Sequence, residues 1–255
     1  MTGADDDLAG IPASIQLAWG RREPGSRGPK RGLTLQTIVT AGIKVALTEG
    51  VGSLSMARIA AELGVGTMSL YRYVAAKDDL LALMVDAALG QPPAATSGED
   101  WRGGLRRWAE GVRDAYRRHP WSLRVPITGP PLGPNNVAWL ENALTALAQT
   151  PLSEQEKLSS VLLVSGFVRN EETLVADLRA GNAAEPVMPN YGTLVGKLLG
   201  PDSHPALQRA IASGVLDDDD DIEVEFEFGI ERILDGIAAL VATKRKRPRK
   251  RTATP

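Results

Sequence analysis

The stretch ELGVGTMSLYRYVAAKDDLL, residues 62 to 81, decides how this chain is read. Gly64-Val65-Gly66 interrupts helix-forming sequence, and Tyr71-Arg72-Tyr73 follows within a few residues. Two glycines around one apolar residue read as a tight break between helices, because glycine adopts backbone angles that strain other residues. Upstream, Ser55 is placed to cap a helix that carries Ile59, Ala60 and Leu63 on one face. Downstream, Thr67 to Val74 supplies about two helical turns, too short to stand without neighbours. A short helix, a glycine turn and a second short helix make a helix-turn-helix, whose second helix can enter a DNA major groove.

The chain has 255 residues, enough for one large domain or for a small one joined to a larger one. A hydrophobic share of 43% against 24% charged residues permits a packed core. With no cysteine, disulfides and thiolate chemistry are excluded, and His119 and His204 alone cannot build a histidine-rich metal centre. Neither a metal nor a cofactor is expected. No basic-then-apolar leader and no run of about 18 apolar residues is visible, so a cytoplasmic location is the default expectation.

The net charge of -2 conceals an uneven distribution. Residues 21 to 31 carry Arg21, Arg22, Arg27, Lys30 and Arg31 against Glu23, and Lys244 to Arg251 is basic throughout apart from Pro248. Between them lies an acidic body, densest at Asp217 to Asp221. A small basic module joined to a larger acidic one fits DNA binding through one end.

Helical periodicity begins near Thr34, with Leu35, Ile38, Val39, Ile43, Ala46 and Leu47 near one face, and stops at Gly50-Val51-Gly52. After the two short helices, Lys77 to Leu89 makes a fourth that Gly90-Gln91-Pro92-Pro93 ends. Beyond a loop at 91 to 100, helical spacing runs from Trp101 to His119-Pro120, from about Asn136 to Ala148, and from a capping box at Ser153 to Glu156 as far as Leu178. A loop from Ala180 to Pro189 and shorter helices near 191–199 and 204–213 follow. Ile222, Val224, Phe226 and Phe228 alternate as a strand would. Yet Phe226, Ile230, Ile233, Leu234, Ile237 and Val241 keep helical spacing, and a helix over about 220–242 is expected. The fold class is all-α. Its expected division is a basic flexible arm at 1–30, a helix-turn-helix domain at 31–89, an effector-binding and dimerisation domain at 91–242, and a basic disordered tail at 243–255.

Leu63-Gly64-Val65, Ser69-Leu70-Tyr71, Tyr73-Val74 and Lys77, preceded by Ile59-Ala60, together resemble the DNA-binding module of the TetR family of transcriptional regulators. Serine at 69 stands where the family usually has threonine, and Tyr73 stands where the tetracycline repressor has histidine. Arg118-His119-Pro120-Trp121, Trp139 to Leu144 and Phe226 to Ile237 look like the regulatory domain of the tetracycline-repressor subgroup. The resemblance implies a homodimer that binds a near-palindromic operator and is released from it, most often as a repressor, by a small-molecule effector. The tetracycline and magnesium ligands of that subgroup do not carry over to this sequence. Where the tetracycline repressor has a base-reading arginine on the preceding helix, Ala57 stands here, with Arg58 beside it.

Thr67, Met68, Ser69 and Arg72 lie on the groove side of the second helix, where base edges would be read; Thr67 and Ser69 serve equally as caps. Tyr71, Tyr73 and Lys77 are candidates for phosphate contact, with Tyr73 packing on the first helix as the alternative. Trp101, Trp108, Tyr116, Trp121, Trp139 and Phe167, with His119 and Asn170 as polar anchors, are candidates for an effector pocket or for core. For His119 the alternative is a helix C-terminal cap before Pro120. Phe226, Gly229, Ile233, Gly236 and Ile237 are candidates for the dimer interface or for intramolecular core. Two other classes compete with a regulated repressor. One is a constitutive DNA-binding protein; the other, a helical enzyme, lacks a defined pair of carboxylates or a phosphate-cradling glycine motif.

Overall fold

The computed structural model describes residues 8–22, 33–181, 190–200, 203–217 and 222–246. In chain order the helices are α1 (Ala13–Ala18), α2 (Leu35–Glu49), α3 (Met56–Glu62), α4 (Thr67–Leu70), α5 (Lys77–Leu89), α6 (Trp101–Arg118), α7 (Pro134–Leu147), α8 (Glu154–Gly181), α9 (Tyr191–Leu198), α10 (Pro205–Ala212) and α11 (Ile222–Lys246). Short 3-10 turns lie at Val51–Ser53 and Pro120–Arg124, and no strand occurs among the described residues.

Local chemistry sets the helix starts. Thr34 and Thr37 form a reciprocal cap on α2, with backbone-to-hydroxyl distances of 2.9 and 3.1 Å. Ser55 accepts from the Arg58 amide at 3.1 Å and starts α3. Ser153 and Glu156 complete the expected capping box on α8. A hydrogen bond from Lys244 of α11, with those from Ser153, holds the Glu156 carboxyl at about 2.

Two apolar cores divide the helices. The first gathers Ile38 and Val45 of α2, Ile59 of α3, Leu70 of α4, Val74, and Leu80 and Met84 of α5. Helix α4 has only four residues and no stability of its own. Complete burial of Leu70, worth about 2 kcal/mol, pins it. The second core joins Leu105, Trp108 and Val112 of α6, Trp139 and Leu147 of α7, Val164 and Val168 of α8, and Phe226, Ile230 and Leu234 of α11. At its edge Arg113 and Arg117 clamp Glu172 of α8 and Glu223 of α11 at 2.6 to 3.1 Å.

Structure departs from expectation at several places. Residues 8–22, expected as flexible arm, contain α1, which packs on α5 and buries Ile15; residues 23–32, with Arg27, Lys30 and Arg31, lie outside the described residues. The Trp19 indole that follows donates to the Leu132 carbonyl at 2.8 Å. Helix α11 continues four residues past 242, because Lys244 finds Glu156. Residues 182–189 and 247–255, expected as loop and tail, lie outside the described residues. In the acidic run, Asp217 caps α9 by accepting from Gly192 and Thr193, and 218–221 lie outside the described residues.

The turn that decides the fold has a definite mechanism. Gly64 has φ +64°, the Val65 amide donates to the Ala60 carbonyl at 3.0 Å, and the Gly64 amide donates to Ala61 at 3.2 Å. These two bonds form a Schellman stop, which requires a left-handed residue at position 64. Gly64→Ala is therefore expected to lower stability by about 1–2 kcal/mol, read as a fall in thermal midpoint, and Gly64→Asn by less.

Candidate nucleic-acid interface

Immediately after the Schellman stop, Gly66 turns extended and α4 begins, so the glycine pair aims α4 away from α3. Met68 is 78% exposed and Tyr71 45% exposed, while Thr67 and Ser69 are half-buried. Arg72 is exposed, its guanidinium carbon 5.8 Å from the centre of the Tyr73 ring. Lys77 is exposed at the first position of α5, beside Asp78 and Asp79. A cation there opposes the helix dipole, and an arriving phosphate would compensate it. Thr67, Met68, Ser69, Tyr71, Arg72 and Lys77 thus lie together on or beside one short helix.

Two of the candidates belong elsewhere. Tyr73 is only 3% exposed and its hydroxyl donates to the Leu33 carbonyl at 2.8 Å, so phosphate contact through Tyr73 is replaced by a tie between the recognition segment and the chain entering α2. Arg58 is engaged by Glu49 at 2.6 Å and Glu62 at 3.0 Å, and Lys44 reaches Glu62 at 2.6 Å. Hydrogen bonding to Glu49, then to Glu62, raises the Arg58 pKa. Its charge is matched within the module, where it braces α3 against α2.

A buried acid joins this module to the helices behind it. Asp86 of α5 is 4% exposed, and its carboxylate accepts four hydrogen bonds at the start of α7. The Asn136 amide and side chain donate at 2.8 and 2.7 Å, those of Asn135 at 3.3 and 3.1 Å. Gly133 sits so close to this carboxylate that any side chain there would overlap it. Sequence reading missed Asp86, although one acid within the apolar run LLALMVDAAL was a signal of an internal partner.

The eight effector candidates do not converge on one pocket. Trp108 and Trp139 pack edge to face in the second core, their indoles spent on the Trp139 and Gly90 carbonyls. Phe167 stacks on Phe226, Trp101 borders the same core, and Asn170 is exposed. His119 and Trp121 remain together after the end of α6, their rings 6.2 Å apart, while Tyr116, near the end of the same helix, packs against the second core. Arg169 of α8 lies 6.0 Å from the Tyr116 ring and donates to the Leu123 and Val125 carbonyls. His119 Nδ1 and Trp121 Nε1 are buried without a hydrogen-bond partner. Burial, reinforced by Arg118, depresses the His119 pKa, so the imidazole is neutral at pH 7. His119 also ends α6, its amide bonding to Ala115 and Tyr116, so both of its readings have a basis.

For the dimer candidates, Phe226 and Ile237 are 1% and 4% exposed in the chain's own core, and Gly229 exists to admit the Phe167 ring. Ile233, Gly236 and the edge of Ile237 line an open groove of about 510 Å³ between α8 and α11, with Leu163 and Leu240. A second hollow of about 460 Å³ includes Val224 and Phe228. Leu162, Leu163, Val224 and Phe228 are all more than half exposed; sequence reading missed them because it sought the face with the most regular apolar spacing, which is the core face.

Comparison with known proteins agrees with the helical fold. Residues 38–84 match the family profile described as bacterial regulatory proteins, tetR family, and residues 92–241 match tetracyclin repressor-like, C-terminal domain. The HTH-type transcriptional repressor DrrR1 of Streptomyces coeruleorubidus is 36% identical over 242 residues, covering 92% of this chain and 88% of the relative. The HTH-type transcriptional repressor Rv1353c of Mycobacterium tuberculosis is 28% identical over 241 residues, covering 91% and 89%. Among solved structures, Streptomyces coelicolor ActR in complex with actinorhodin aligns with a TM-score of 0.70 at 27% identity, over 84% of this chain and 99% of that one.

Tyr73 and Lys77 make opposite predictions. Tyr73→Phe should cost about 1 kcal/mol of stability and leave the salt dependence of DNA binding unchanged. Lys77→Ala should leave stability equal or slightly raised, since it removes a cation that opposes the helix dipole, and should lower the slope of log affinity against log salt by about 1. Parallel thermal unfolding and salt titrations of DNA binding check both.

Proposed function

The chain belongs to the TetR family of bacterial regulatory proteins and is a DNA-binding transcriptional regulator, and on that premise we propose that it is a homodimeric repressor released from its operator by an aromatic small molecule. The observation that carries the DNA-binding half is the exposed set on α4 and the start of α5, aimed by the Gly64 stop. Residues 31–89 form the DNA-binding unit and 91–242 the effector and dimerisation unit. Thr67, Met68, Ser69 and Arg72 face base edges, while Tyr71 and Lys77 hold phosphates and set register.

Dimerisation uses the exposed face of α8 and α11, where Leu162, Leu163, Phe228 and Leu240 leave apolar area open beside the small Gly236. Two copies then present two α4 helices to half-sites about one DNA turn, ~34 Å, apart. The function is binding alone, without a catalytic step. No described helix is long and apolar enough to cross a membrane, and the proposed action on chromosomal DNA calls for a cytoplasmic protein.

For release, the effector binds beside Tyr116, His119 and Trp121, where two buried polar atoms lack partners. ActR, of similar fold, is solved in complex with actinorhodin, which supports control by a bound small molecule here; the aromatic lining of the site points to an aromatic one. An effector that prefers one arrangement of the body 100-fold supplies about 2.7 kcal/mol of coupling. Movement at the α6 end reaches the DNA unit through α5, which packs against α6 and is clasped to α7 by Asp86.

The test is a genomic binding selection together with sedimentation and a thermal-shift screen of aromatic natural products. The expected results are a near-palindromic motif, a mass twice the 27.2 kDa of one chain, and stabilising hits that weaken operator binding at least tenfold. A motif without symmetry would overturn the dimeric operator. Stabilising ligands that leave DNA affinity unchanged would overturn effector control.

A further inference from the structure

Met68 is the most exposed large apolar side chain described between residues 33 and 89. Its neighbour Leu70, two positions on, is fully buried. Two helical steps separate side chains by roughly 200°, so Met68 points directly away from the core that Leu70 enters. Fold stability does not use it, and among side chains on α4 it projects furthest into solvent. The flanking Thr67 and Ser69 are half-buried, which leaves the methionine as the tip of the helix.

A major-groove wall offers hydrogen-bond donors and acceptors at every base pair but one kind of apolar group, the C5 methyl of thymine. Methionine has neither a donor nor a strong acceptor for the polar edges, and its unbranched, polarisable chain adapts to small apolar surfaces. Seating it against a polar base edge would strip water from that edge without replacing its hydrogen bonds. Resting on the operator reading above, we infer that Met68 reads the C5 methyl of a thymine in each half-site and so fixes a T·A pair at that position. The adjoining ring of Tyr71, 45% exposed, closes one side of this contact against water.

The test uses the full-length dimer and the operator recovered by selection. Each thymine is replaced in turn, symmetrically in both half-sites, by deoxyuridine, which lacks only the methyl group. Affinity is measured by fluorescence anisotropy at one salt concentration. At one thymine position the wild-type protein should lose about fourfold per half-site, the factor matching burial of one methyl group, ~0.8 kcal/mol. Met68→Ala should bind the thymine and uracil operators within twofold of each other at that position, and Met68→Leu should retain part of the discrimination. Because Met68 is 78% exposed, the thermal midpoint of both variants should match wild type, which separates lost reading from lost folding. Uracil tolerated at every position, or a methyl effect that persists in Met68→Ala, would overturn the inference while leaving the regulator reading intact. Absence of any sequence-selective binding would overturn both.

Discussion

Asp86 buries a carboxylate in an otherwise apolar stretch of α5, and the arrangement of the molecule depends on what that carboxylate meets. An uncompensated buried charge costs several kcal/mol. Here four donors from Asn135 and Asn136 converge on it, two of them backbone amides at the positive end of α7. The acid therefore satisfies α7's first turn, and α7 satisfies the acid. Neither partner can be moved a few ångströms without stranding the other. Since α5 leads directly from the recognition segment, this clasp sets the direction in which α4 is held.

Other contacts reinforce the same joint. Helix α1 lies on α5, and Trp19 bonds the Leu132 carbonyl just before Gly133, so the segment leading into α7 is held from two sides. Trp121 packs in the first core although it follows α6 in sequence, which brings the candidate effector cluster against the DNA-binding helices. Behind the joint, Arg113 and Arg117 bind Glu172 and Glu223 and lock α6, α8 and α11 into one block. A signal arising at the end of α6 thus has a short and stiff path to α5.

The local devices were legible in the sequence because each depends on neighbours within a few residues. The Gly64 stop, the Ser55 cap and the Ser153–Glu156 box were all read correctly for that reason. The strand-like alternation at 222–228 gave way to helix because Phe226, Ile230 and Leu234 reach one core at helical spacing. Long-range assignments fared worse. Aromatic residues in α6 and α7 look alike in sequence whether they line a pocket or fill a core, and Trp108 and Trp139 fill the core. Tyr73 reads from sequence as either a phosphate ligand or a packing residue, and the deciding contact, its hydroxyl on the Leu33 carbonyl, lies forty positions away. Asp86 and its asparagines are 49 and 50 residues apart, and no local pattern joins them.

On these contacts, the Asp86 clasp fixes the DNA-binding unit on the body. The chain has no cysteine, so Ala61→Cys, at an exposed site on α3, gives a single spin label per subunit. Pulsed electron–electron double resonance then measures the separation of the two labels in the dimer. One narrow distance distribution is expected for the otherwise unchanged protein. With Asp86→Ala added, the distribution should broaden by several ångströms, although circular dichroism still reports a folded helical chain. An equally narrow distribution centred at the same distance in both proteins would contradict that role of the clasp.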